Sequence, residues 1–154
     1  MSRKEDFVSY ISDGYNFKGE SIILGGAILE GEALPNAFIK VPLKTLNRHG
    51  LIAGATGTGK TKTIQVLSEQ LSSFGIPVLM MDIKGDFSGI AMQGEEKSFI
   101  KERHAKINIP YSTTSFPVEL LTLSEQNGVR LRATISEFGP VLFSRILNLN
   151  DTQS

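Results

Sequence analysis

The stretch "LIAGATGTGKTKT", residues 51–63, constrains this chain more than any other. A short apolar run, "GLIAG", feeds straight into a glycine-rich loop. The loop feeds straight into "KTKTIQVLSEQLSSF", where Ile64, Leu67, Leu71 and Phe74 recur at spacings of three and four. That spacing predicts one apolar face of a helix. Gly75 stands where a residue just past the helix end belongs. "IPVLMMDIK" follows, a continuous apolar run of strand length, as a strand buried on both faces reads. Strand, helix and strand within about 33 residues make a βαβ unit, which predicts a parallel sheet with a right-handed crossover.

The loop carries chemistry as well as topology. Gly54, Gly59, Lys60 and Thr61 spell G-x-x-x-x-G-K-[ST]. Glycines permit backbone angles and close approaches that a Cβ forbids. Successive main-chain N–H groups then line one concavity that suits phosphate. The helix behind the loop adds its unpaired first-turn N–H groups and the positive end of its dipole. In such a loop a lysine reaches the β- and γ-phosphates and a Ser/Thr hydroxyl ligates Mg²⁺. The candidate nucleotide-binding residues are therefore Gly54, Ala55, Thr56, Gly57, Thr58, Gly59, Lys60, Thr61 and Lys62, with Thr61 also the candidate metal ligand. Lys60 and Asp82 are the candidate catalytic residues.

Asp82 ends the second apolar run and has two readings. A carboxylate there can serve the site, or it can cap the next turn through its own backbone. "DIKG" also matches the D-x-x-G of GTPases, but Asp82 follows Thr61 by only 21 residues and no N-K-x-D guanine-reading motif occurs. Lys84 and Asp86 read as solvated turn residues.

Ahead of the loop, residues 1–47 read as a small β-rich lead-in, distinct from residues 48–154. "SIILGGAILEG" suggests a hairpin or a bent strand around Gly25–Gly26, and "AFIKVPL" a strand ending near Pro42. Behind the loop, "GEEKSFIKERHAKI" reads as a polar surface helix, and "INIPY" and "FPVELLTL" as short strands. "GPVLFSRILNLN" reads as a helix with Pro140 in its first turn.

Bulk composition narrows the partners. The 154 residues hold 16 basic and 16 acidic side chains, so net charge gives no push towards nucleic acid or anionic membrane. No cysteine is present, which excludes disulfides and thiolate metal sites and fits a reducing cytoplasm. The N-terminus has no apolar signal-peptide core, and no run approaches the ~20 apolar residues of a membrane span. His49 and His104 are the only histidines, too few for a histidine-based zinc site. Arg130, Arg132 and Arg145 can form a basic strip, and Phe116, Phe138 and Phe143 can stack on bases, although a solvated face and core packing explain them more simply.

The segment "LNRHGLIAGATGTGKTKTIQVLSEQLSSFGIPVLMMDIKGDFSGIA" resembles the P-loop region of the HerA/FtsK-type ATPases, nearest to the bacterial HerA-like (YjgR-type) helicase/ATPase group. "RATISEFGPVLFSRILNLNDTQ" is similar to the same group. The resemblance implies a RecA-like P-loop NTPase with an α/β parallel sheet. It also implies ATP and Mg²⁺ as ligands and a homo-oligomeric ring that translocates or unwinds DNA. Gly54–Thr61 would be the Walker A loop, and Asp82 with Lys84 a second-strand signature near the site. No second apolar strand ending in paired acids occurs here. The true Walker B acids and the arginine finger are thus expected beyond Ser154, with this chain an N-terminal portion and its sheet incomplete. Two rival functions stand beside the motor: a nucleotide-binding or assembly module without hydrolysis, and a P-loop kinase acting on a small molecule.

Overall fold

The computed structural model describes residues 2–148, apart from the side chains of Ile135 and Phe143. The chain divides into two units, Met1–Pro117 and Val118–Ser154.

The first unit opens with a helix that the β-rich reading of the lead-in passed over. Helix α1 (Arg3–Gly14) begins at a capping box: the Ser2 hydroxyl accepts from the Glu5 N–H, and the Glu5 carboxylate accepts from the Ser2 N–H at 2.7 Å. Such a box satisfies two of the donors that every helix start leaves unpaired. Phe7, Val8 and Ile11 form its inner side. Ser2-x-x-Glu5 just ahead of these apolar residues is the sequence signal for it.

Strands β1 (Ser21–Leu29) and β2 (Glu32–Pro42) pair antiparallel, from Leu29 opposite Glu32 to Ser21 opposite Pro42. The expected hairpin exists, but its turn is at Glu30–Gly31, where φ is 51° and 83°. Two successive positive φ angles are what a tight two-residue hairpin turn needs. Gly25–Gly26 is instead where the strand bends, with register shifts between Ile23 and Gly25 and between Gly26 and Ile28. Across the second shift, β2 carries Leu34–Ala37 opposite the single residue Ala27, with Asn36 at φ 61°. This bulge turns both Leu34 and Ala37 inward, and with Ala27 they form the core against which α1 packs.

Helix α2 (Lys60–Ser73) follows the glycine-rich loop, as its apolar spacing predicts. It ends in a Schellman motif: the Gly75 N–H reaches Ser72 O at 2.9 Å, and the Ile76 N–H reaches Leu71 O at 3.0 Å. Gly75 has φ 73°, which explains the glycine. Helix α3 (Ser98–Ile107) also forms where expected. Its last residue packs against β1 so closely that a Cβ on Gly26 would sit 2.6 Å from Ile107 Cγ2.

The expected βαβ sheet is the main correction. Residues 51–55 and 76–84 form no ladder, and most of their apolar side chains are exposed: Leu79 is 80% exposed, Met81 91% and Ile83 99%, with Met80 half-buried. A parallel ladder is stable only with several strands and both faces covered. One pair crossed by one helix leaves a whole face bare. The described residues supply no third strand beside these two segments.

The second unit holds a parallel pair, β3 (Leu121–Thr122) and β4 (Val129–Arg130), much shorter than the strand read in "FPVELLTL". No strand forms at "INIPY". Helix α4 (Ile135–Ile146) breaks at Gly139, with φ 66° and ψ 164°, so that Pro140 opens its second part as its first-turn position predicts. Asn150, at the end of that predicted helix, lies outside the described residues. The described residues are thus α/β with two small sheets. Among the described residues no helix is long and apolar enough to cross a membrane.

Candidate functional site

The glycine-rich loop curls. The Thr58 N–H turns back towards Ala55 O at 3.4 Å, and the Thr58 hydroxyl donates to the same oxygen at 2.8 Å. Gly57 and Gly59 sit at φ 82° and 95°, the left-handed region that glycine enters freely. Gly54 is needed for a different reason: a Cβ there would meet Thr58 Oγ1 at 2.5 Å. The glycines of the motif therefore serve the curl in two ways, by angle and by clearance.

Gly59 caps α2 with backbone alone, and its carbonyl accepts from both the N–H and the hydroxyl of Thr63, at 2.9 and 3.1 Å. Among the described residues, the main-chain N–H groups of Gly57, Gly59, Lys60 and Thr61 have no acceptor. Three consecutive unpaired donors at the helix start, Gly59 to Thr61, with that of Gly57 ahead of them, suit an anion. The Lys60 ammonium folds back across the loop to donate to Ala55 O at 2.8 Å. The Thr61 hydroxyl makes no hydrogen bond among the described residues. Lys62 points along the helix instead, to Gln65 Oε1 at 2.8 Å.

Asp82 is held by the turn that follows it. Its Oδ1 accepts from the N–H groups of Lys84, Gly85 and Asp86 at 3.2, 2.8 and 3.2 Å, and its Oδ2 accepts from Phe87 at 2.9 Å. The Phe87 N–H, followed by those of Gly85, Asp86 and Lys84, holds this carboxyl below the usual aspartate range. The turn-capping role weighed for Asp82 is present, with both oxygens engaged.

Sequence reading missed the amides that tie these parts together. Gln65 is only 9% exposed, and its Nε2 donates to Asp86 O at 3.0 Å. Gln70 meets the backbone of β1 at both ends: Oε1 accepts from the Ile23 N–H at 2.7 Å, and Nε2 donates to Ile23 O at 2.6 Å. It thus stands in for a neighbouring strand at one residue of the sheet edge. A polar residue on the inner side of a helix is the available signal, because a buried amide must find partners.

The other candidates are dispersed. His49 is exposed, and His104 stacks at a tilt on Tyr111, with ring centroids 4.8 Å apart. Arg130 pairs with Glu125 within its own loop, while Arg132 and Arg145 are exposed. Phe116 is half-buried and Phe138 exposed. The Phe143 side chain lies outside the described residues. Among the described residues, no three His, Cys, Asp or Glu side chains are grouped to hold a metal. A cation beside Thr61 would need ligands from a bound anion as well.

Comparison with known proteins supplies the lineage. Residues 28–154 match the model of the helicase HerA-like C-terminal family. A DNA double-strand break repair helicase HerA of Sulfolobus acidocaldarius is 38% identical over 52 residues, covering 34% of this chain and 10% of that protein. The HerA helicase of Sulfurisphaera tokodaii is 36% identical over 97 residues, covering 63% of this chain and 17% of that one. A DNA import protein, CedB, of Sulfolobus acidocaldarius is 30% identical over 107 residues, covering 68% of this chain and 18% of its own length. The chain therefore spans less than a fifth of these relatives. No solved structure matches. With a family match that takes in the curled loop, α2 and the Asp82 turn, this chain belongs to the HerA-like helicase family.

Proposed function

We propose that residues 54–62 bind Mg²⁺-ATP and that, in a longer protein, this binding drives translocation or unwinding of DNA. The observation that carries the reading is the row of unpaired amides at Gly57, Gly59, Lys60 and Thr61, at the head of α2. The Thr61 hydroxyl beside them would hold Mg²⁺, which would supply charge neutralisation for the phosphates. Lys60 is one hydrogen bond away from serving the same anion, since its bond to Ala55 O can be exchanged for one to phosphate. The names of the relatives, two repair helicases and a DNA import protein, support DNA as the substrate. Residues 48–154 are the part assigned to the P-loop NTPase domain and residues 1–47 the lead-in, acting in a cytoplasmic homo-oligomeric ring.

Bound Mg²⁺ would spread the charge of the phosphates and orient them. The chain's own share is to hold the anion with main-chain amides, to place the Lys60 charge, and to offer the Thr61 hydroxyl. A second reading, binding without hydrolysis, draws on Asp82. Its carboxylate is engaged by four backbone donors of its own turn, three on Oδ1 and one on Oδ2.

Lys60→Ala removes a charge-assisted partner of the phosphates and should weaken Mg²⁺-ATP binding about 10- to 100-fold by calorimetry. Unchanged affinity would overturn the assignment. Steady-state ATP hydrolysis with and without double-stranded DNA separates the two readings. DNA-stimulated turnover favours the motor, and tight binding without turnover favours the module.

A further inference from the structure

Gln65 is out of place for a helix that merely packs. Its side chain is buried, where a leucine would be less costly, because a buried amide must be hydrogen-bonded at both ends. Both ends are bonded: Nε2 to Asp86 O at 3.0 Å, and Oε1 to Lys62 Nζ at 2.8 Å. The same peptide unit, Asp86 C=O to Phe87 N–H, turns its N–H to Asp82 Oδ2 at 2.9 Å. Gln65 therefore lies one residue's backbone away from the Asp82 carboxylate. Along the helix it sits four residues after Thr61, and positions four apart share a face. Ser68, three residues further on, continues that face and reaches Met80 Sδ at 3.2 Å. One polar stripe of α2, Thr61–Gln65–Ser68, thus runs along the segment that leads into the Asp82 turn.

We propose that Gln65 is a positioning residue that fixes the Asp82 turn against the helix face carrying Thr61. It touches neither the loop amides nor Lys60. Its effect passes through the Asp86 carbonyl, which sets how far the Asp82 charge stands from the Thr61 hydroxyl. The bond from Lys62 has a second consequence, since it turns that ammonium along the helix and leaves Lys60 as the cation at the loop. The proposal rests on the nucleotide-binding reading, deepens it, and is tested apart from it.

Gln65→Met keeps length and removes both bonds. Gln65→Glu keeps the acceptor for Lys62 and removes the donor to Asp86. In both variants, amide hydrogen exchange at Lys84–Phe87 should quicken about tenfold, the scale of one lost hydrogen bond, while helix content by circular dichroism is unchanged. Mg²⁺-ATP affinity should move less than about threefold. In a longer protein that includes this chain and hydrolyses ATP, kcat should fall about tenfold at nearly constant KM, as for an interaction that acts beyond ground-state binding. Unchanged exchange in Gln65→Met overturns the proposal, as does wild-type behaviour in Gln65→Glu or a raised KM at constant kcat. Should the wild-type chain bind no nucleotide, the nucleotide reading fails, and the exchange comparison still decides whether Gln65 holds the turn.

Discussion

Two apolar regions of this chain look alike in sequence and fold differently. The hairpin β1–β2 forms a ladder along its length, interrupted by two register shifts, and buries Ile22, Ala27, Leu34 and Ala37. The segments 51–55 and 76–84 are at least as apolar and form no ladder. The difference lies in where each finds its partner. The hairpin's partner strand is two residues away, across Glu30–Gly31, so closing it costs little loop entropy. Its open face is covered by α1, which is close by in sequence. The segments beside α2 have no such neighbour, and parallel pairing demands a crossover plus cover on both faces. Apolar content marks a segment as fit to be buried, and locality decides whether the chain itself can bury it.

The largest break in that contrast should come from Ile22, which is fully buried. Ile22→Ala should cost about 2–5 kcal/mol, the range for large-to-small core changes. Urea unfolding with the hairpin followed by hydrogen exchange checks it. A loss under 1 kcal/mol would mean that the hairpin is no more self-supporting than the segments beside α2.

The contrast also explains what the sequence made legible. The curl of residues 54–59, α2 and its Gly75 stop are local events, governed by glycine angles and a period of 3.6, and they could be read directly. So could the first-turn place of Pro140. The hairpin was legible but its turn was misplaced. The paired glycines 25 and 26 drew attention, whereas Glu30–Gly31 required a glutamate at positive φ, which residue preferences argue against. The segments beside α2 are expected as strands and form none, because apolar character carries no information on whether partners exist. The partners of Gln65 and Gln70 are hidden for a related reason. An amide's role is set by what it faces, here Asp86 and Ile23, 21 and 47 residues away.

Gln70 is the link between the two regions, since it joins the helix behind the loop to the edge of the hairpin. Gln70→Leu leaves the Ile23 N–H and C=O without partners and should cost about 1–3 kcal/mol. The diagnostic reading is faster exchange of the Ile23 amide with the exchange of β2 amides unchanged. Loss of protection across the whole hairpin would show that β1–β2 depends on α2 and is not autonomous.

A smaller effect, with a sign set by pH, should come from Glu69 on the same helix. Burial holds its carboxyl above the usual glutamate range, and Lys62 opposes this in part. The folded chain thus binds this proton more tightly than the unfolded one. The associated stability is fully present below the unfolded value and is lost as pH rises through the raised folded value. Glu69→Gln should therefore raise the melting temperature at neutral pH, and the gain should fade as pH falls below the ordinary glutamate range. A gain that persists in acid would place its origin elsewhere.

The smallest effect should come from the residue that looks most like a core position in the sequence. Leu79 lies in the middle of "IPVLMMDIK" and is 80% exposed. Its burial contributes little to this fold, so Leu79→Ser should shift stability by less than about 0.5 kcal/mol, as for surface changes. The same substitution in a buried strand would cost several times more, because transfer of the side chain and loss of packing both count. Paired with Ile22→Ala, it asks one question of two aliphatic residues in apolar runs. A large loss at Leu79 would mean that residues 76–84 are buried in solution, and the contrast between local and non-local pairing would fall with it. A negligible loss in this chain, alongside a large one in a longer protein that includes it, would show that the segment's partners are supplied from outside these residues.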